Sequence, residues 1–445
     1  MKGFVEDPDF LLDTGAASKL YHGWAEGQPI VDYHCHIDPK EIWEDRRYED
    51  LSQVWLGGDH YKWRLMRSNG VEEKYITGDA SDYEKFEKFA QTLPRAIGNP
   101  MYHWCHLELK NYFGYTGVLN GETAQAVWDL CSDKLKNDPG MSARGLIRQS
   151  NVAMVGTTDD PCSDLIWHEK LSGDESFSPQ VLPSFRPDPA VNLHKAGFAG
   201  YVAKLEETVG HGITTIEEMR RALSERIAFF AAHGCRAADH GLDYVMCREV
   251  SDEAATAVMN RARAGEVLTR EEAEGYQTAL LLHCAREYRR LGWVMQLHFS
   301  CMRNPNSRMM TALGPDSGFD CIAVTDSCAA LYRLLDTLER GGEPAQDGAV
   351  QPEPGGQRLD RHPAGGLPGP RGAGEDPARQ RLVVQRPQGG HDRAPDQPGQ
   401  FEHPGQLHRH AHRQPEPFEL RPARVLPPGA LRPAGPVGGE RGVPQ

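Results

Sequence analysis

Long apolar runs are missing from this chain of 445 residues. Nothing in it approaches the roughly 18 consecutive apolar residues that a membrane-crossing helix needs, so no membrane partner is expected. The opening Met-Lys-Gly-Phe-Val-Glu-Asp-Pro-Asp places acids ahead of any apolar stretch, and a secretory signal is not expected. The ten cysteines include no CxxC pair and no regular spacing. That usage fits reduced thiols in a cytoplasmic protein better than a disulfide framework. No glycine-rich phosphate fingerprint follows any apparent strand, which disfavours a doubly wound nucleotide-binding sheet.

The last hundred residues lack far more. From Gln346 to Gln445 there is no Lys, Ile, Ser, Thr, Asn, Tyr, Trp, Met or Cys, while 18 Pro and 17 Gly are present. The change is abrupt. It divides the chain into a body, 1–342, and a Pro/Gly/Arg-rich stretch, 343–445, whose composition predicts disorder. Of the 49 basic and 63 acidic residues, 13 and 11 lie in the last hundred, leaving 36 and 52 in residues 1–345. A charge of −16 on residues 1–345 argues against a nucleic-acid partner. A small anionic ligand needs only one or two local arginines and stays open.

What the body does contain is alternation. Short β-rich runs begin at Pro29, Val152, Val181, Cys235 and Trp293, and each ends in polar residues. Helical patterns separate them. Ala143–Gln149 is one, and Thr215-Ile-Glu-Glu218 and Thr269-Arg-Glu-Glu272 are capping boxes that open two more. This pattern predicts an α/β fold with a parallel sheet, specifically a (β/α)8 TIM-type barrel with polar groups gathered at the strand ends. Residues 40–140, rich in Trp, Tyr, Lys and Glu, predict a helical insertion after the first strand. The C-terminal strands of the barrel are expected to be missing.

His34-Cys35-His36 closes the first strand run. Residues two apart on a strand face one way, so both imidazoles point inward and form half of a divalent-metal site. The bland alternative is a pair of strand-end histidines bonded to backbone. Asp32 and Asp38 are candidate acceptors behind them. His298, ending another strand, adds a third inward imidazole for metal or proton chemistry. Gly57-Gly-Asp-His-Tyr-Lys-Trp-Arg64 reads as a flexible loop carrying a proton donor and cations, His60 and Tyr61 among them. Arg186, extended by Pro187, can chelate a carboxylate, or simply pair with Asp188. Cys235–His240 and Met302–Arg308 are weaker segments of the same kind.

Taken together, Asp32–Glu41, Trp55–Gly70, Gln296–His298 and Leu313–Asp320 resemble the uronate (glucuronate) isomerases, an amidohydrolase-like barrel family. The resemblance runs from about Phe10 to about Leu338. It implies aldose–ketose isomerisation of a hexuronate, D-glucuronate to D-fructuronate or D-galacturonate to D-tagaturonate, through an enediol. It further implies that His34 and His36 bind one divalent metal, zinc being expected, and that His60, Tyr61 and His298 handle protons or polarise hydroxyls. Arg186 would hold the substrate carboxylate. A homo-oligomer is compatible with the family.

The family also carries a Thr-Asp-Ser-Arg segment on its last strand, and the resemblance implies that its Asp completes the metal site. At the corresponding place this chain reads His410-Ala-His-Arg-Gln-Pro-Glu416. Read one nucleotide along, Gln346–Gln357 can encode Lys-Thr-Val-Leu-Tyr-Asn-Leu-Asn-Pro-Ala-Asp, and Arg381–Arg386 can encode Ala-Trp-Trp-Phe-Asn. Ala411–Glu416 can encode Leu-Thr-Asp-Ser-Arg. Three such peptides in one frame point to a frameshift that begins between Gly341 and Gln346. Two further readings remain open: an inactive, poorly folded product, and a metal-dependent hydrolase on the same barrel.

Overall fold

The computed structural model of the protein describes residues 4–323, 327–340 and 381–385. Six short strands between residues 30 and 298 run parallel in an order close to that of the chain. β1 (Ile30–Asp32) pairs with β2 (Val152–Gly156), and β2 with β3 (Gln180–Leu182). β4 (Ser184–Phe185) pairs with β5 (Ala237–Gly241), and β5 with β6 (Val294–His298). β3 and β4 are one extended run parted at Pro183, which has no N–H to give to a ladder. The continuation of β2 bridges that gap: Thr157 N donates to Leu182 O and Asp159 N to Ser184 O, both at 2.9 Å. An antiparallel pair, β7 (Cys301–Met302) with β8 (Cys321–Ile322), follows β6.

The helices lie where local chemistry starts and stops them. Thr215 and Thr269 each close a complete capping box, opening Ile216–Ala232 and Arg270–Arg290. Ala143–Gln149 is a helix capped by Ser142. Six helices from Pro39–Trp43 to Ala124–Asn137 fill the predicted insertion, and among its described residues there is no strand. Trp55, Phe86 and Phe89 are buried in its core together with Ile30, Val152 and Val181, so the insertion packs on the first three strands. A second core lies around β4–β6, built on Phe185, Phe230, Tyr288 and Trp293, with Tyr288 and Trp293 stacked at 5.6 Å.

Gly57–Arg64 departs from its predicted loop. The Asp59 carboxylate accepts from the amides of Tyr61 and Lys62, both at 2.9 Å, and so nucleates a helix, His60–Ser68. Lys62 is buried in an ion pair with Asp59 rather than offered to a ligand. Within 343–445, the predicted disordered and frameshifted stretch, the structure describes one piece, β9 (Arg381–Gln385), paired in parallel with β6. The rest of that stretch lies outside the described residues. Among the described residues no helix is long and apolar enough to cross a membrane.

Candidate active site

The polar residues that end the parallel strands converge. His34 follows β1, Arg186 follows β4, Asp239 lies in β5 and His298 closes β6. His34, Asp239 and His298 each direct a ligand atom to one spot, all within 4.8 Å of one another. The His34 and His298 rings lie 4.6 Å apart, and His36 stands edge-on to His34 at 4.9 Å. Of the site residues expected from sequence, His34, His36, His298 and Arg186 therefore come together. Asp239 joins them.

The electrostatics follow from burial. Desolvation pushes His34 well below the usual imidazole range, and it holds His36 down to about 4 with the Arg186 charge assisting. Both rings are therefore neutral near pH 7, as metal ligation requires. Burial alone would raise the Asp239 carboxyl, but His298, His34 and Arg186 together hold it well below the ordinary carboxylate range. Asp239 is fully buried and ionised, with Arg186 Nη1 3.1 Å from Oδ2.

These residues fit a divalent cation on a specific observation. His34 Nδ1, His36 Nε2, His298 Nε2 and both Asp239 oxygens are buried and make no hydrogen bond. His298 Nε2 and Asp239 Oδ1 are 2.9 Å apart yet out of line for an N–H···O bond. Buried polar atoms without partners are costly, and a cation shared among them removes the cost. Two or three imidazoles with one carboxylate form a donor set of the kind zinc takes.

Arg186 is more committed than the sequence suggests. Nε bonds Asp188 at 2.8 Å while Nη1 faces Asp239. Asp188 also accepts from Gly241 N at 2.9 Å, and a side chain at 241 would come within 2.8 Å of Arg186 Nη2. His60 and Tyr61 lie in the first turn of His60–Ser68, their rings 4.3 Å from each other. Burial lowers His60 from its ordinary value. Asp38, expected behind the imidazoles, instead caps Pro39–Trp43, and Asp32 lies beside Cys35 with burial raising it to about 6. Asp239 is the residue that sequence reasoning passed over; its one signal was its place at a strand end inside the weakly rated Cys235–His240.

Fold and site together define an α/β enzyme with a candidate metal centre at the ends of parallel strands. The sequence pattern of the glucuronate isomerases matches residues 1–345. The uronate isomerase of Endomicrobium trichonymphae is 51% identical over 343 residues, 77% of this chain and 73% of the relative. That of Lachnospira eligens is 49% identical over the same shares. The crystal structure of uronate isomerase from Thermotoga maritima superposes with a TM-score of 0.72 at 35% identity, covering 76% of this chain and 74% of that one. Glucuronate isomerase from Caulobacter crescentus gives 0.69 at 26% identity, over 75% and 71%. The chain belongs to the glucuronate isomerase family of enzymes.

Proposed function

We propose that the chain interconverts hexuronates, D-glucuronate with D-fructuronate and D-galacturonate with D-tagaturonate. The observation that carries this reading is the buried convergence of His34, Asp239 and His298 beside Arg186, within a chain of this family. In the reaction the C2 proton is removed, an enediol forms, and a proton is returned at C1. His60 and Tyr61 are the proposed proton-handling pair, poised by burial and by their ring contact. Arg186 is the proposed anchor of the substrate carboxylate. A divalent cation, proposed to be zinc, would be held by His34, His298 and Asp239 with His36 within reach, and would polarise the reacting oxygens. His298 is thereby assigned to coordination in preference to proton transfer.

The proposed architecture is a (β/α)8-type barrel on residues 1–342 with the helical insertion at about 40–140. Sequential parallel strands support it, as does the hydrogen bond from Gln296 Nε2 on β6 to Tyr33 O beyond β1, at 3.2 Å. The ten cysteines, all free, suit a reducing compartment, and the cytoplasm is proposed. A homo-oligomer is compatible with this reading.

A second reading has its own support. The family pattern ends at residue 345, where the composition changes. We infer that residues beyond it are translated in a displaced frame, which removes the family's last-strand Asp and Arg and yields a poorly active product. Incubation of the purified chain with D-glucuronate separates the readings. A ketose product supports the isomerase, a cleaved product would make it a hydrolase, and no turnover supports the second reading.

A further inference from the structure

His60 and Tyr61 belong to the insertion, while the metal-ligating cluster belongs to the strands. Something must fix one against the other. The answer lies in Leu313–Asp320, which stands about 250 residues from the helix His60–Ser68 in sequence and against it in space. Arg64 Nε donates to Gly318 O at 2.8 Å, and its Nη2 donates to Asp320 O. Arg67 Nη1 donates to Ser317 O, and its guanidinium lies 4.6 Å over the Phe319 ring.

Arg67 is itself fixed. Both Glu73 oxygens accept from it, at 2.8 and 2.7 Å, and Thr77 Oγ1 donates to Glu73 at 2.5 Å. On the far side, Asp320 accepts from Arg303 Nη1 at 2.7 Å and from Asn304 N at 2.8 Å. Arg303 and Asn304 directly follow β7, a few residues beyond His298, and Asp320 directly precedes β8. A series of polar contacts thus runs from Arg64 and Arg67 of His60–Ser68 to Arg303 and Asn304, which lie a few residues beyond the end of β6 and His298.

Gly318 is the point of closest approach. Its φ is +94°, a region that side chains rarely adopt, and a Cβ there would lie 2.5 Å from the backbone oxygen of His60. Only glycine lets the loop touch the residue proposed to move the proton.

We propose that Arg64, Arg67 and Gly318 are positioning residues, a clamp that sets His60 and Tyr61 against the strand-end cluster. For the roles of His60 and Tyr61 the inference rests on the proposed isomerase. The clamp is distinct from a mere loop staple because it acts on catalytic geometry. A displacement of about 1 Å in such groups can lower turnover about a hundredfold.

The test uses the full chain and the variants R64A, R64K and G318A, each checked for native circular dichroism. The His60 titration is followed by its imidazole resonance in NMR, together with amide exchange and uronate turnover. Asp59, Asp316, Asp320 and Arg303 are the charged groups acting on His60. The expected result is that R64A raises the His60 midpoint toward the ordinary imidazole value as its first turn opens. Exchange at 60–63 and 314–320 should accelerate together. Turnover should fall about a hundredfold with KM changed less than about threefold, R64K recovering part of each loss. An unmoved His60 titration in folded R64A, or a loss confined to KM, overturns the clamp. If the unsubstituted chain has no turnover, the isomerase reading fails, and the His60 titration still decides the clamp. If G318A does not fold, R64A decides alone.

Discussion

Asp239 Oδ1 lies 2.9 Å from His298 Nε2, although the strand register pairs Asp239 with Gln296 and His298 with Gly241. The carboxylate thus reaches diagonally across β5–β6, and the imidazole meets it without the alignment of a hydrogen bond. Two acceptor-bearing groups brought this close in a dry interior favour a shared cation. They also leave Asp239 as the main counter-charge to Arg186 on that side.

Substituting D239N should therefore have two effects. Bound zinc, measured by elemental analysis after dialysis against a weak chelator, should fall by at least about tenfold, because one charged ligand is lost. With metal removed from both proteins, urea unfolding should find D239N less stable by about 3 kcal/mol, the lower end for breaking a buried pair, since Arg186 is partly exposed. Zinc retained at the unsubstituted level would refute Asp239 as a ligand.

Much of this arrangement was legible in the sequence, and the parts that were not share a cause. His34, His36 and His298 could be found because strand alternation and strand ends are local features. The capping boxes at Thr215 and Thr269 are local too, and both helices start where they say. Asp239 could not be ranked, because its importance comes from two neighbouring elements that only the fold brings to it. The Gly57-Gly58 pair suggested a loop, yet the Asp59 cap that directly follows it outweighed it. Arg186 showed its Asp188 partner in sequence; its Asp239 partner lies 53 residues further on, across the sheet.

Asp159 predicts a pH dependence away from the site. Burial raises its carboxyl from 3.8 to about 6, partly opposed by the Thr157 hydroxyl, which donates to it at 2.6 Å. A raised carboxyl pKa means the folded state prefers the protonated form. Its contribution is complete below about pH 4 and is lost as the pH rises through about 6. The two-unit shift corresponds to about 3 kcal/mol. D159N, which cannot ionise, should gain on the unsubstituted protein by about that amount between pH 4 and pH 7 in denaturant unfolding. Parallel pH profiles for the two proteins would rule out the buried carboxyl as the source.

The helix Arg270–Arg290 supplies much of the core beneath β4–β6, including Tyr276 and Tyr288. Its first turn depends on Thr269, whose hydroxyl accepts from Glu272 N at 3.2 Å while Glu272 accepts from Thr269 N at 2.8 Å. T269A should cost about 1 kcal/mol in thermal unfolding, T269S much less. Equal losses in both would place the effect in the methyl group rather than the cap.

The displaced frame makes the most consequential prediction. The family pattern stops at residue 345, and nine residue types vanish from Gln346 onward. In the proposed alternative frame, Arg381–Arg386 can encode Ala-Trp-Trp-Phe-Asn, and this is also where the structure places β9 beside β6. Deep sequencing of the coding DNA across codons 335–350 should find the single-base difference. A chain expressed in the restored frame should then bind zinc more tightly, because a second carboxylate becomes available to His34 and its neighbours, and should isomerise D-glucuronate far faster than the chain as written. If the DNA supports the frame as written and both versions turn over uronate at equal rates, the displaced-frame reading is wrong. The reaction would then not need the family's last-strand Asp.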